Sequence, residues 1–561
     1  MSQNPMHLSP ADFERRGVEL LSFITSYWSS LDSPAAPPVL SQVRPGEVLR
    51  ALPKAASEHP EPWDDVMRDV REIIVPGLTH WQSPNFFAYF PANTSAPSVL
   101  ADLLCAGLGV QGMLWATSPA ATELETRLLD QMAQALGLPD RFRSDAPGES
   151  GLGIIQGTAS EATLVALCAA RTRARTRGGT GSLVAYTSTQ AHSSVVKAAM
   201  IAGITDGPDA KDGFVASRDG GGVRMIAADV HYRLDPALLE AAMHADQAAG
   251  RAPFFVVATL GTTGVMAIDD LSAIAQVCAK FGAWLHVDAA FAGAALICPE
   301  LRSMLGSGPP GSRGIDRADS FAFNPHKWLL VGFDCDLFWT SDRRAVRAAL
   351  SITPEYLRNA ASEAGHVIDY RDFQIPLGRR FRALKLWFVL RHYGLESLRE
   401  YIREHLRLAA LFEDLVAQDP RFELPLGPAF GHPLVCFRLR EPGSDANRTL
   451  LRTLNESGTL YLTHTVLDHP ASAPADARYV LRFAIGSAST RQEHIRAAWL
   501  AIHTTATAIL APSGGAGASA SASASASASA SASASASASA SAAASGGQGG
   551  GAGSGTLSTH S

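Results

Sequence analysis

Asn324-Pro325-His326-Lys327-Trp328, set between the apolar run Phe321-Ala322-Phe323 and Gly332-Phe333-Asp334-Cys335, is where the fold reading starts. A short apolar run followed at once by proline reads as a strand ending in a turn. Lys327 then stands at a strand end beside His326. Partial desolvation and a neighbouring cationic group both favour its neutral amine, which can attack a carbonyl. A lone lysine says little, since most are solvated surface charges. A second strand of the same kind, Trp284-Leu285-His286-Val287-Asp288-Ala289-Ala290, ends in a carboxylate flanked by small residues. Pyridoxal phosphate (PLP) chemistry needs this pair. The lysine supplies the amine that joins the cofactor carbonyl, and the carboxylate keeps the pyridine nitrogen protonated so that the ring accepts electrons.

Outward from these two segments, strands and helices alternate. Gly153-Ile154-Ile155-Gln156 is a buried-strand pattern, and Gly157-Thr158-Ala159-Ser160-Glu161-Ala162 turns it into a long Ala/Leu helix. A strand, a turn of small residues and a helix N-terminus make an anion site, because free backbone N–H groups and the helix dipole meet there. Thr158, Ala159 and Ser160 are therefore candidates for a phosphate, although an ordinary capped helix reads the same way. His192 follows the strand Leu183-Val184-Ala185-Tyr186. Thr263 follows Phe254-Phe255-Val256-Val257-Ala258, in the loop Thr259-Leu260-Gly261-Thr262-Thr263-Gly264. Asp269, beyond that loop, suits an N-cap for the next helix as well as a cofactor role. The alternation from about 150 to 340 predicts an α/β fold, a mostly parallel central sheet flanked by helices. Such folds bind ligands beyond the C-terminal strand ends. Asp288, His192, Thr263 and Lys327 all fall there.

At 561 residues the chain is long enough for about two or three domains. A net charge of −6 leaves no basic footprint for nucleic acid. The six cysteines are scattered without metal-ligand spacing, so a reduced, cytoplasmic protein with no metal is expected. No uncharged apolar run reaches membrane-span length. Met1 to Pro5 leads into a polar amphipathic segment, so no signal peptide is expected.

Ser9-Pro10-Ala11-Asp12 predicts a capped helix start. The stripe Phe13, Leu20, Leu21, Ile24, Tyr27 and Trp28 that follows reads as buried packing. A Pro-rich connector spans 34–38, and helices are expected at 45–52 and 63–74. Residues 341–372 are mixed and polar, which suits a lid carrying Tyr356. Helices at 383–393 and 396–417, strands near Phe422, Val435, Tyr461 and Leu481, and a helix at 491–510 predict a small α+β domain. Alternating Ala and Ser from 513 cannot bury enough apolar surface to order a chain. The expected division is 1–90, an N-terminal helical dimerisation segment; 91–382, a large PLP-binding α/β domain; 383–512, a small α+β domain; and 513–561, a disordered tail.

Four motifs carry a resemblance: His286-Val287-Asp288-Ala289-Ala290, Asn324-Pro325-His326-Lys327-Trp328, Gln190-Ala191-His192-Ser193-Ser194 and Gln374-Ile375-Pro376-Leu377-Gly378-Arg379-Arg380-Phe381. In this set the chain resembles the group II PLP-dependent amino-acid decarboxylases, and among them the aromatic-L-amino-acid decarboxylases, from about 8 to 510. The resemblance implies the PLP-dependent transferase fold type I (aspartate aminotransferase-like). It implies PLP on Lys327, Asp288 at the pyridine nitrogen, and His192 on the ring face near the substrate carboxylate. Thr158, Ala159 and Ser160 would hold the phosphate, and Thr263, Asn324 and His326 would complete the cofactor contacts. Tyr356 would protonate the substrate α-carbon after carbon dioxide leaves.

For the substrate the resemblance implies the wall Trp81, Tyr89, Phe90, Pro91 and Ala92, the segment with Gln111 and Met113, and Gly378. Gln111 and Met113 stand where many animal members carry larger apolar or aromatic residues, and Ala92 stands where Thr is common. Both departures touch substrate choice and leave the fold alone. A homodimer with active sites at the subunit interface is implied in the same way.

The expected activity is decarboxylation of DOPA, tryptophan, 5-hydroxytryptophan, tyrosine or phenylalanine. The rivals are a decarboxylase of glutamate, aspartate or histidine, an aromatic aldehyde synthase, and a catalytically silent interaction protein. Tyr356 and Gly378 speak for aromatic decarboxylation. Arg379, Arg380 and Arg382 read as a structural ion-pair cluster sooner than a basic site.

Overall fold

Eight strands form one sheet: β1 (Leu152–Gln156), β2 (Leu183–Ser188), β3 (Phe214–Ala216), β4 (Gly222–Ile226), β5 (Ala252–Thr259), β6 (Trp284–Asp288), β7 (Ser320–Phe323) and β8 (Asp336–Thr340). Their order is β1-β8-β7-β6-β5-β2-β4-β3. The run β7-β6-β5-β2-β4 is parallel; β8 is antiparallel to both its neighbours, and β3 is an antiparallel edge. The computed structural model describes residues 8–148, 150–178, 181–358, 360–365, 367–427, 432–440, 444–467 and 479–511. The Ala/Ser/Gly tail expected to be disordered lies outside them.

The central strands are apolar on both faces, as strands covered by helices on both sides must be. Ile155, Leu285, Val287, Leu337 and Trp339 enter one core with the helix Pro119–Leu136. Ile154, Val257, Trp284, Ala322 and Phe338 enter the other with the helix Ala159–Thr176. A second, antiparallel sheet of four strands comprises β9 (Phe422–Glu423), β10 (Leu434–Leu439), β11 (Thr463–Val466) and β12 (Tyr479–Ala484), in the order β11-β12-β10-β9. The helix Ala383–Ala417 serves both regions. It bends at Gly394, whose φ of 70° only glycine adopts at low cost. Leu386 and Val389 before the bend join the large core, whereas Leu408, Phe412 and Val416 after it join the core under the small sheet.

Ser9 caps the first helix, Pro10–Ser30, by accepting from the Asp12 N–H. The stripe on that helix departs from expectation. None of its residues is buried, and Phe13, Val18, Leu20 and Leu21 are exposed. The helices at 45–52 and 63–74 are shorter than their sequence windows: Glu47–Ala51 and Trp63–Asp69, the latter continued by a wider turn over Val70–Ile74. The polar stretch 341–372 holds the regular helix Arg343–Leu350 and the turns Glu355–Leu357 and Tyr370–Phe373. Among the described residues no helix is long and apolar enough to cross a membrane.

Candidate active site

β6 and β7 are parallel neighbours with Asp288 opposite Ala322. The carboxylate and the turn after Phe323 therefore open onto one crevice. The cavity there has a volume of about 210 Å³. Thr158, Ala159, Ser160, His192, Thr263, Asp288, Asn324, His326 and Lys327, every residue expected at the cofactor, line it.

Lys327 lies in the single turn Pro325–Trp328 and is half-buried, between fully covered neighbours. Its Nζ sits 5.9 Å from the centre of the Phe90 ring. Desolvation lowers its pKa, against the opposing fields of Asp288 and Asp336. The turn is pinned by Asn93, a buried residue that no sequence pattern marked. Its Nδ2 donates to the carbonyls of Lys327 and Gly486, each at 2.7 Å, and its N–H donates to the His326 carbonyl at 2.9 Å. Asn324 joins the same turn to the anion cradle, its Oδ1 accepting the Ala159 N–H at 3.0 Å. Thr158, extended at φ −148°, does not use its hydroxyl to cap the following helix.

Asp288 is buried, and its Oδ1 accepts the Ala290 N–H at 3.0 Å. His192 Nδ1 accepts the Ser194 N–H at 3.2 Å, so the neutral ring carries its proton on Nε2. Desolvation holds this imidazole below its ordinary pKa despite Asp288, and Lys327 acts in the same direction as burial. His326 is buried with Nδ1 2.7 Å from the Cys335 carbonyl. Burial, reinforced by Lys327, pushes its pKa down to about 4. Thr259 Oγ1, buried and without a partner, also belongs to the lining. An amine nucleophile, a buried carboxylate, two neutral imidazoles, an uncommitted hydroxyl and a helix N-terminus form a donor set that fits PLP.

The predicted substrate group divides. Phe90 lines the cavity and stacks on Phe291 at 4.1 Å, which stacks on Trp328 at 4.9 Å. Trp81 and Tyr89 instead join Phe86 and Tyr461 in a neighbouring cluster, with the Tyr89 and Tyr461 hydroxyls 3.0 Å apart. Pro91 packs against Gly486, where a Cβ would approach to 2.2 Å. The Ala92 carbonyl accepts from Gln82 at 2.6 Å. Gln111 and Gly378 meet each other: Gln111 Oε1 accepts the Arg379 N–H at 3.1 Å and lies 3.5 Å from where a Cβ on Gly378 would be. The Met113 carbonyl accepts the Arg371 N–H at 3.1 Å. Tyr356 is 76% exposed and lies outside the cavity lining.

Asp269 takes neither expected role. Its neighbour Asp270 caps the next helix, while Asp269 accepts the N–H groups of Leu234 and Thr259 at 2.8 and 2.7 Å. Burial raises its pKa to about 6. The arginines are ion-paired: Arg379 with Glu125, Arg380 with Asp102 and Asp334, and Arg382 with Asp334. A further residue that the sequence left unmarked is Arg482, buried with no carboxylate partner among the described residues. It donates to the carbonyls of Gly264, Thr263 and Tyr89 at 3.0, 2.8 and 3.3 Å, holding the Thr263 loop to the aromatic segment. Neither Asn93 nor Arg482 lies in a periodic pattern. A polar residue inside an otherwise apolar run, as Arg482 is in β12, was the one available signal.

Residues 45–440 match the family described as the pyridoxal-dependent decarboxylase conserved domain. Among curated relatives, the aromatic-L-amino-acid decarboxylase of Rattus norvegicus is 44% identical over 510 residues, covering 89% of this chain and 98% of that protein. The phenylacetaldehyde synthase of Arabidopsis thaliana is 44% identical over 517 residues, covering 90% and 98%. Among solved structures, Oryza sativa TDC with PLP and tryptamine superposes with a TM-score of 0.81 at 40% identity, covering 90% of this chain and 99% of that one.

Proposed function

We infer, from the premise that this chain belongs to the pyridoxal-dependent decarboxylase family, that it converts an aromatic L-amino acid to its amine and carbon dioxide. The carrying observation is the convergence of Lys327, Asp288, His192 and the Thr158–Ser160 turn on one cavity walled by Phe90. Bound PLP supplies the electron sink for the charge left at Cα when carbon dioxide departs. Lys327, desolvated and so more readily neutral, would hold the cofactor through its amine. Asp288 holds a proton at the pyridine nitrogen. Thr158, Ala159 and Ser160 hold the phosphate, and Thr263, Asn324 and His326 border the ring. His192, protonated on Nε2, donates to the substrate carboxylate. Tyr356 delivers the proton to Cα.

Trp81, Tyr89, Pro91, Ala92, Gln111, Met113 and Gly378 belong, in this reading, to a substrate wall completed by a second copy. The uncovered apolar stripe of Pro10–Ser30 supports a homodimer, since a stripe of that kind asks for a partner surface. Residues 1–90 then pair the subunits, 91–382 hold the cofactor and 383–512 cap it, in a cytoplasmic enzyme. The six cysteines are free thiols, in keeping with that compartment.

A relative named as an aldehyde synthase at 44% identity supports one second reading, oxidative deamination at the same site. The test is a product assay with PLP-loaded protein and a panel of aromatic and acidic amino acids. An aromatic amine without peroxide is expected. Aldehyde with stoichiometric peroxide selects the second reading, and turnover of acidic substrates alone rejects both.

A further inference from the structure

Asp336 is fully buried at the start of β8, and none of the roles above uses it. It is paired across the β1–β8 ladder with Gln156, the last residue of β1 before the Thr158–Ser160 turn. Directly opposed residues of an antiparallel pair send their side chains to the same face, with β-carbons about 5 Å apart. Both Asp336 oxygens and Gln156 Oε1 are buried without a hydrogen-bond partner. The Gln156 amide cannot be turned over to help, because its Nε2 donates to the Phe373 carbonyl at 2.8 Å. Three acceptor oxygens on one face of neighbouring strands are therefore left without a donor, an arrangement that folded proteins avoid and that a proton on the carboxyl would relieve. The charges acting on Asp336 come from Asp288 on β6, Lys327 on its turn and Glu161 on the helix Ala159–Thr176. The two acids oppose a further negative charge there, and Lys327 favours one. Burial outweighs Lys327 and raises the Asp336 pKa well above the ordinary carboxyl range.

We propose that Asp336 is a protonated carboxylic acid whose O–H bonds Gln156 Oε1, and that this proton positions the Gln374–Gly378 loop from the floor of the Lys327 site. The connection is continuous. Gln156 holds the Phe373 carbonyl. The next residue, Gln374, donates through Nε2 to the carbonyls of Pro376, Leu377 and Gly378 at 2.5, 3.3 and 3.2 Å. Asp336 is thus a positioning residue acting through Gln156. Its kinetic consequence rests on the decarboxylase reading; its proton is a property of the protein with or without PLP.

Infrared difference spectra of the full chain, cofactor-free and PLP-loaded, compare wild type with Asp336→Asn at neutral pH. A protonated-carboxyl C=O band present in both wild-type forms and lost in the variant is expected; a carboxylate difference instead overturns the proposal. Asp336→Asn keeps a donor toward Gln156 and should leave KM unchanged. Asp336→Ala removes it and should raise KM for the aromatic amino acid by about tenfold with kcat nearly kept. Equal loss of kcat in both variants, or no change of KM in either, overturns the positioning role. If Asp336→Ala does not fold, Gln156→Met carries the same KM test. A wild-type enzyme inactive on every aromatic amino acid would sink the functional reading, while the infrared result would still decide the proton.

Discussion

The Lys327 turn and the Tyr356 turn are both short, proline-led and assigned to one reaction, yet their surroundings are opposite. Lys327 sits between buried neighbours, its carbonyl held by Asn93 and its turn tied to the helix N-terminus through Asn324. Tyr356 stands on Glu355–Leu357 with most of its side chain in solvent. A group that must present a fixed lone pair to a fixed carbonyl benefits from rigid tethers, because misplacement costs rate steeply. A group that acts once, after a bond has broken, needs only to arrive. The contrast separates what one chain assembles from what, in the proposed reading, closure or a second subunit would add.

The largest effect should come from the tethered side. Lys327→Ala should cost roughly 10⁴-fold or more in kcat, followed by amine release, and abolish the absorbance of lysine-attached cofactor. Asp288→Asn should cost roughly 10²–10³-fold while cofactor attachment survives, which separates the two roles. Tyr356→Phe should change product more than rate, diverting amine towards aldehyde and peroxide. Its melting temperature should not move, since exposed substitutions usually stay within about 0.5 kcal/mol. A large loss of stability there would erase the contrast, by meaning that a partner covers the tyrosine. Asn93→Ala, which takes the donor from the buried Lys327 carbonyl and leaves the Gly486 carbonyl only the Tyr401 hydroxyl, should cost about 1–3 kcal/mol in urea unfolding.

The smallest expected effect is on pH dependence. Burial lowers His286, His326 and His405 from 6.5 to about 4. Between those values the unfolded chain binds more protons than the folded one, so stability falls as pH drops through that window. Asp269, raised from 3.8 to about 6, has the opposite slope over most of the same range. His80, His192, His432 and His464 are lowered as well, and Glu125 and Asp336 raised, so seven imidazoles against three carboxyls predict net acid loss, measurable as a falling melting temperature from pH 6.5 downward.

The cofactor side was readable in sequence because strand ends are. Apolar runs broken by Asp288, His192 and Asn324-Pro325 mark the C-terminal edge of a parallel sheet, and adjacency of β6 and β7 does the rest. The break at Gly394 was legible for a related reason, since Tyr393-Gly394 interrupts a helical period. The stripe from Phe13 to Trp28 was legible as apolar but not as uncovered, because period reports a face and not what meets it. Asp269 and Asp270 differ by one residue, and sequence cannot say which of two adjacent carboxylates turns inward. Gln111 meeting Gly378, Asn93 under Lys327 and Arg482 behind Thr263 are contacts between distant segments, set by packing and by no local pattern.

The stacked column Phe90–Phe291–Trp328 ends on the imidazole of His405, to which the Trp328 indole donates at 2.8 Å. Trp328 is therefore shielded from water, immobilised and adjacent in sequence to the lysine that would carry a visible chromophore. Such an indole is a built-in optical gauge. Its emission should be blue and long-lived in the empty protein and quenched by energy transfer when the chromophore is attached, so site occupancy can be followed by light alone, without substrate.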